Sequence, residues 1–110
     1  MSTQIELFDE LSALLRSNAH GMHIAKEEPC NLYLEWREPD AKGKRRFFGA
    51  VQAKKSYVAF HLMPLYEQPE LLNGLSTALK KQMQGKSCFN FKKRDDALFD
   101  ELKKIVRQVS

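Results

Sequence analysis

The sequence is poor in cysteine and lacks any long apolar run. Its two cysteines, Cys30 and Cys88, are far apart and form no Cys-x-x-Cys pattern. Reduced thiols are typical of the cytosol, so we expect a cytoplasmic protein without a disulfide. No apolar stretch reaches the roughly 18 residues that a transmembrane helix needs. The first residues also lack the basic start and apolar core of a signal peptide, and we expect no membrane partner.

A catalytic signature is also missing. The chain contains no His-Glu-x-x-His pattern and no Cys-His metal motif, so we expect a protein that is not an enzyme and holds no cofactor. What is present is an ordinary globular composition, with 110 residues, of which 43% are apolar and 29% charged. These values predict a single domain over residues 1–110, with a core large enough to be stable without disulfide bonds.

The charge is distributed unevenly along the chain. The net charge is +4, but residues 41–94 contain twelve Lys and Arg against only two acids, Glu67 and Glu70. The remaining residues contain six basic and twelve acidic side chains. A basic middle between acidic ends favours an anionic partner, and the alternative is a solvated surface that happens to be basic.

Alternating apolar residues predict three consecutive strands, at 31–37, 46–54 and 57–63, and a short fourth strand at 87–91. Polar links between the first three favour an antiparallel meander. In the second strand, alternation places Phe47 on the face of Gly49 and opposite Phe48. Gly49 in mid-strand indicates a bulge or the close approach of a neighbouring element. Residues 19–30 are predicted to form a loop or a weak strand.

Apolar residues spaced by three and four predict a helix at each end of the chain. Asp95 or Asp96 caps the last helix. Further helices are predicted from Pro69 and over Thr77–Gln84, with Ser76 as N-cap and Gly85 just beyond the C-terminus. The order α-β-β-β-α-β-α predicts an α+β fold, with two layers and helices on one face of an antiparallel sheet of about four strands. The apolar residues of the two terminal helices are Leu7, Phe8, Leu11, Leu14 and Leu15, then Leu98, Phe99, Leu102, Ile105, Val106 and Val109.

The C-terminal half resembles the YdhG-like family, small bacterial proteins grouped as a domain of unknown function. The resemblance is carried by Tyr57–Leu62, by Leu79–Phe91 with its central Gly85-Lys86, and by the last helix. It implies a two-layer α/β domain with an antiparallel sheet, similar to secretion chaperones and frataxin. Some members are labelled iron chaperones, but no reaction is implied.

The Gly85-Lys86 turn and the neighbouring strand form the predicted binding site. Lys86 would neutralise an anion, Phe89 and Phe91 would form an apolar wall, and Tyr57 and His61 would supply polar contacts. This reading predicts a non-enzymatic module that binds a small anionic ligand or a protein partner, as a monomer or a homodimer.

Three other interpretations remain open. His20 and His23 are weak candidates for metal ligands, and a frataxin-like iron or metal carrier would need a dense row of carboxylates. Non-specific nucleic-acid binding would need aromatic side chains interleaved with basic ones on an exposed sheet face. His61 and Cys88 could form a nucleophile pair if the fold brings them together, although each could equally be a core residue.

Overall fold

An antiparallel sheet of five strands forms the centre of the fold, one strand more than predicted. The computed structural model describes residues 3–19, 21–85 and 87–109. The α+β class and the layer of helices on one face are confirmed. The strands follow each other in the sheet in chain order, each antiparallel to the next. The elements are α1 (Thr3–Asn18), β1 (His23–Glu28), β2 (Asn31–Pro39), β3 (Arg45–Ala53), β4 (Val58–Leu62), α2 (Met63–Glu67), a 3-10 helix (Pro69–Gly74), α3 (Thr77–Lys80), β5 (Cys88–Phe91) and α4 (Asp96–Val109).

The additional strand is β1, which forms one edge of the sheet. It lies in the segment predicted to be a loop or a weak strand, and it pairs with β2 from His23 opposite Glu35 to Glu28 opposite Asn31. The sequence gives no clear alternation of apolar and polar residues in this segment. Its main apolar residue is Ile24, whose surface is 45% exposed. Backbone pairing with β2 therefore makes this segment a strand, although it buries almost no apolar side chain.

A bulge in β3 changes which phenylalanine faces the core. Leu34 pairs with Gly49, but the next pair along is Glu35 with Phe47, so Phe48 is an extra residue. Phe48 is fully buried and packs edge-on against Trp36, whereas Phe47 stacks on Tyr33 with 4.7 Å between ring centroids. Strict alternation predicted Phe47 on the face of Gly49 and Phe48 opposite, and the bulge reverses both.

Helices α1 and α4 cover one face of the sheet and enclose the core. Their predicted apolar faces are buried, except that Val109 is only partly so. Phe99 of α4 meets Phe91 of β5 at right angles, with centroids 5.3 Å apart. The Arg107 Nε–H donates to the Asn18 side-chain oxygen at 2.6 Å, which joins the C-terminal ends of the two helices.

The segment before β5 differs from its prediction. Ser76 caps α3 as expected, accepting from the Leu79 N–H, but the helix ends at Lys80 and not at Gln84. The chain then turns back along β5, with the Gln84 N–H donating to the Cys88 carbonyl at 2.8 Å. Gly85 is therefore in the turn of this short antiparallel pair, at φ +89°, and does not terminate a helix. Pairing with the exposed edge of β5 outweighs the local helical pattern.

Among the residues described, no helix combines the length and apolar character that crossing a membrane would require.

Candidate functional site

The predicted site residues are divided between the two faces of the sheet. Phe89 pairs with Phe60, and Phe91 with Val58, on the face that the helices cover. Both rings are buried, with at most 1% of their surface exposed, and belong to the core. The predicted apolar wall is therefore wrong, since neither ring is available to a ligand beside His61. The burial of both rings could have been inferred from the alternation along β4 and β5, because residues on one strand point alternately to opposite faces.

Two other predicted residues lie outside the described part of the chain. These are Lys86, the predicted anion ligand, and His20, one of the weak metal candidates. The residue before Lys86, Gly85, is exposed and turns the chain towards β5. Tyr57 and His61 are both half-buried. His61 lies on β4, on the sheet face opposite the helices, which we call the accessible face, whereas Tyr57 immediately precedes β4.

A groove of about 490 Å³ lies beyond β5, next to the Gly85 turn. We call it the basic groove. Tyr57 enters it from the turn between β3 and β4, and the segment that pairs with β5 forms one wall. The start of α4 forms another wall. The lining residues are Tyr57, Lys81, Gln82, Gln84, Asn90, Phe91, Lys92, Lys93, Asp95 and Leu98.

The charge of the basic groove is strongly positive. Lys81, Lys92 and Lys93 are exposed, and none of them takes part in an ion pair with another described residue. The one acid, Asp95, accepts a hydrogen bond from the Leu98 N–H at 3.2 Å. Asp95 therefore caps α4, which confirms one of the two predicted caps, and its carboxylate is partly neutralised by the helix end.

Arg94 follows the two lysines in sequence but, unlike them, forms ion pairs with carboxylates. Its Nε lies 3.0 Å from a Glu10 carboxylate oxygen and 2.9 Å from one of Asp96. The guanidinium therefore links the start of α4 to α1. The sequence alone shows a continuous basic run at 92–94. In the structure Lys92 and Lys93 line the basic groove, and together with Arg94 they also line a second cavity beside Glu6 and Glu10 of α1.

His61 and Cys88 meet on the accessible face, as the third interpretation required. They are paired residues on β4 and β5, and the Cys88 Sγ lies 3.7 Å from the His61 Nε2. Cys88 also lies 3.5 Å from the side-chain oxygen of Asn90, a residue that lines the basic groove. Burial lowers the pKa of His61, with a further contribution from the charge of Lys54. Burial raises the pKa of Cys88, and Lys54 opposes that effect.

The accessible face has a floor of small residues. Ala50 and Ala59 lie on it, and at 2% and 3% exposure both are covered by larger neighbours. Its aromatic pair consists of Tyr33 on β2 and Phe47 on β3, about 14 Å and about 10 Å from β5 at the usual strand spacing. The aromatic rings and the lysines of the basic groove are therefore not interleaved, which disfavours a nucleic-acid surface of the stacking type.

The metal interpretation finds little support in the described part of the chain. His23 lies on β1 opposite Glu35, and no group of three or more His, Cys, Asp or Glu there is arranged to hold a metal ion. Two acids of the terminal helices make separate contacts and do not form a cluster. Glu10 pairs with Arg94, and Glu101 accepts hydrogen bonds from both the N–H and the hydroxyl of Ser76 at 2.7 Å.

Comparisons of the chain with family models, with curated proteins and with solved structures found no match. Membership of the YdhG-like family stays a prediction from the sequence motifs.

Proposed function

We propose that this protein is a module that binds a small anionic ligand in the basic groove. The observation that supports this function is the composition of the groove, in which three lysines without ion-pair partners among the described residues face one carboxylate already bound to a helix N–H. Like charges held close together repel, and a bound anion relieves that repulsion. The volume of about 490 Å³ lies within the range of small-molecule sites.

The polar groups of the groove favour an oxyanion such as a phosphate. Lysine binds phosphate as a compact point charge with three donors. Tyr57 and the amide side chains of Gln82 and Gln84 offer further donors within the same lining. The apolar part of the lining is small, because Leu98 and Phe91 belong to the core and expose little surface to the groove. The proposed module is cytoplasmic and of the YdhG-like type.

Calorimetric titration with inorganic pyrophosphate tests this function. We expect saturable binding by the wild type that weakens as salt is raised, because exposed charges are screened. The double variant Lys92→Gln/Lys93→Gln should weaken binding at least about tenfold, since two charges adjacent to the anion are removed. The matched control is Lys26→Gln/Lys42→Gln, which removes two lysines on β1 and on the turn between β2 and β3, and should bind as the wild type does.

Two results would contradict the proposal. Equal weakening by both double variants would mean that pyrophosphate responds only to net charge. Absence of binding by the wild type, together with tight binding of a single-stranded oligonucleotide, would assign the basic surface to nucleic acid.

A further inference from the structure

Cys88 differs from the other cysteine of the chain in having a base beside it. Its Sγ lies 3.7 Å from the His61 Nε2, within reach of a hydrogen bond to sulfur. The two residues face each other on adjacent strands of a sheet, so their separation is set by backbone pairing and not by a mobile loop. Cys30, in contrast, is exposed at the turn between β1 and β2.

Both groups are neutral at rest, and both pKa shifts oppose a standing thiolate–imidazolium pair, so the proton leaves sulfur only as the sulfur attacks. Burial lowers the pKa of His61 from its usual 6.5, so the imidazole is neutral near pH 7 and can accept a proton. Burial raises the pKa of Cys88, so the thiol keeps its proton until a base removes it. Lys54 acts electrostatically on both groups, and its charge favours negative charge that develops beside them.

We propose that Cys88 and His61 form a nucleophile–base pair through which Cys88 accepts an acyl group from a thioester. The Cys88 sulfur attacks the thioester carbonyl carbon while its proton passes to the His61 Nε2. The new carbon–sulfur bond forms, the bond to the departing sulfur breaks, and the proton moves from His61 to the departing thiolate. The products are an S-acylated Cys88 and a free thiol, and the exchange needs no oxidant or reductant.

The surroundings of the pair leave both groups partly exposed. Both partners are half-buried on the accessible face, opposite α1 and α4. The Asn90 Oδ1 accepts the Cys88 S–H at 3.5 Å, and rotation of that hydrogen about the Cβ–Sγ bond directs it to the His61 Nε2 for the reaction. This site goes beyond the basic groove and does not depend on anion binding.

The test is incubation with a neutral acetyl thioester of N-acetylcysteamine, with each cysteine followed by peptide mass spectrometry. We expect Cys88 to be acetylated at least as fast as Cys30, although it is less exposed. His61→Gln should slow acetylation of Cys88 at least about tenfold, a conservative value for loss of a general base, and leave Cys30 unchanged. Far-ultraviolet circular dichroism establishes that the variant is folded.

The pH dependence of the wild type decides the question even if the variant does not fold. With His61 as base, the rate at Cys88 should be nearly constant between about pH 7 and 8, because the imidazole is already neutral. Reaction through a free thiolate would instead rise about tenfold per pH unit over this range. Faster modification of Cys30 than of Cys88, or the tenfold rise at Cys88, would overturn the proposal. Because the probe carries no charge, failure here leaves the anion-binding function intact.

Discussion

Gly49 shows how a single residue controls the distance between two strands. A Cβ at this position would lie 2.8 Å from the His61 carbonyl oxygen and 3.3 Å from a Leu62 methyl group. The first of these atoms belongs to the backbone of β4, so it cannot rotate away. The sequence offered two explanations of a mid-strand glycine, a bulge or a close approach, and the structure shows both at this point of β3.

Gly49→Ala should therefore destabilise the protein by about 1–3 kcal/mol, the usual cost of overpacking a core position. The measurement is the free energy of unfolding from urea denaturation. Gly74→Ala is the control, since a Cβ there would meet no atom within 4 Å, and it should change stability by no more than about 0.5 kcal/mol. Equal effects of the two substitutions would show that the approach of β4 does not explain the glycine.

The candidate site residues were only partly predictable. Simple alternation placed Tyr57 and His61 on one face of a strand, but Tyr57 precedes β4 and lines the basic groove, whereas His61 lies on β4 opposite Cys88. Phe89 and Phe91 were assigned to a ligand wall because they flank the Gly85 turn, although the pairing of β5 with β4 puts them in the core. The contact of His61 with Cys88 depends on strand register, which a sequence pattern does not specify across a long connection.

At the level of whole elements, long periodic segments were predicted well and short ones poorly. The two terminal helices bury the predicted side chains because each has many apolar residues at a helical spacing. In contrast, β1 and the segment Gln82–Gln84 have no comparable pattern, and their conformation is set by neighbouring strands. Their backbone groups pair with β2 and β5, a tertiary contribution that local propensity omits.

The short helix α3 is held by a residue far away in the sequence. The Glu101 carboxylate of α4 accepts from the Ser76 N–H and from the Ser76 hydroxyl, each at 2.7 Å, while that hydroxyl also caps α3. Glu101→Ala should cost about 1–2 kcal/mol in the free energy of unfolding, because charge-assisted hydrogen bonds are lost.

Asp100→Ala is the matched control for Glu101→Ala. Asp100 is the neighbouring acid on α4, and its carboxylate makes an exposed ion pair with Lys103 at 3.6 Å. Such a pair is worth at most about 0.5 kcal/mol. If the two substitutions cost the same, then Glu101 contributes only as a surface charge and the link between α4 and α3 is not energetically important.

At the scale of the whole molecule, His61 links stability to pH. Its pKa in the folded protein lies below the ordinary value of 6.5, first because of burial and then because of Lys54. Above that ordinary value the imidazole is neutral in both states. As the pH falls through it, the unfolded chain binds a proton that the folded protein resists, so the free energy of unfolding decreases until the folded pKa is passed.

Urea denaturation at about pH 7 and about pH 5 measures this contribution. The wild type should lose more stability on acidification than His61→Gln, which has no imidazole at this position facing Cys88 and Lys54. The same loss in both proteins would mean that other groups, including the carboxylates of the ion pairs, account for the acid sensitivity.

The pairing of Gln82–Gln84 with β5 also limits how copies of this protein can associate. A sheet grows into a fibre only if each molecule offers two unpaired edges, one to receive a strand and one to donate. Here one edge is partly occupied by the chain itself, through the hydrogen bonds between Gln84 and Cys88 and between Asn90 and Gln82. The other edge, β1, has an irregular register and charged side chains. Edge-to-edge contact would therefore stop at a pair of molecules, and the protein is protected against polymerising through its sheet.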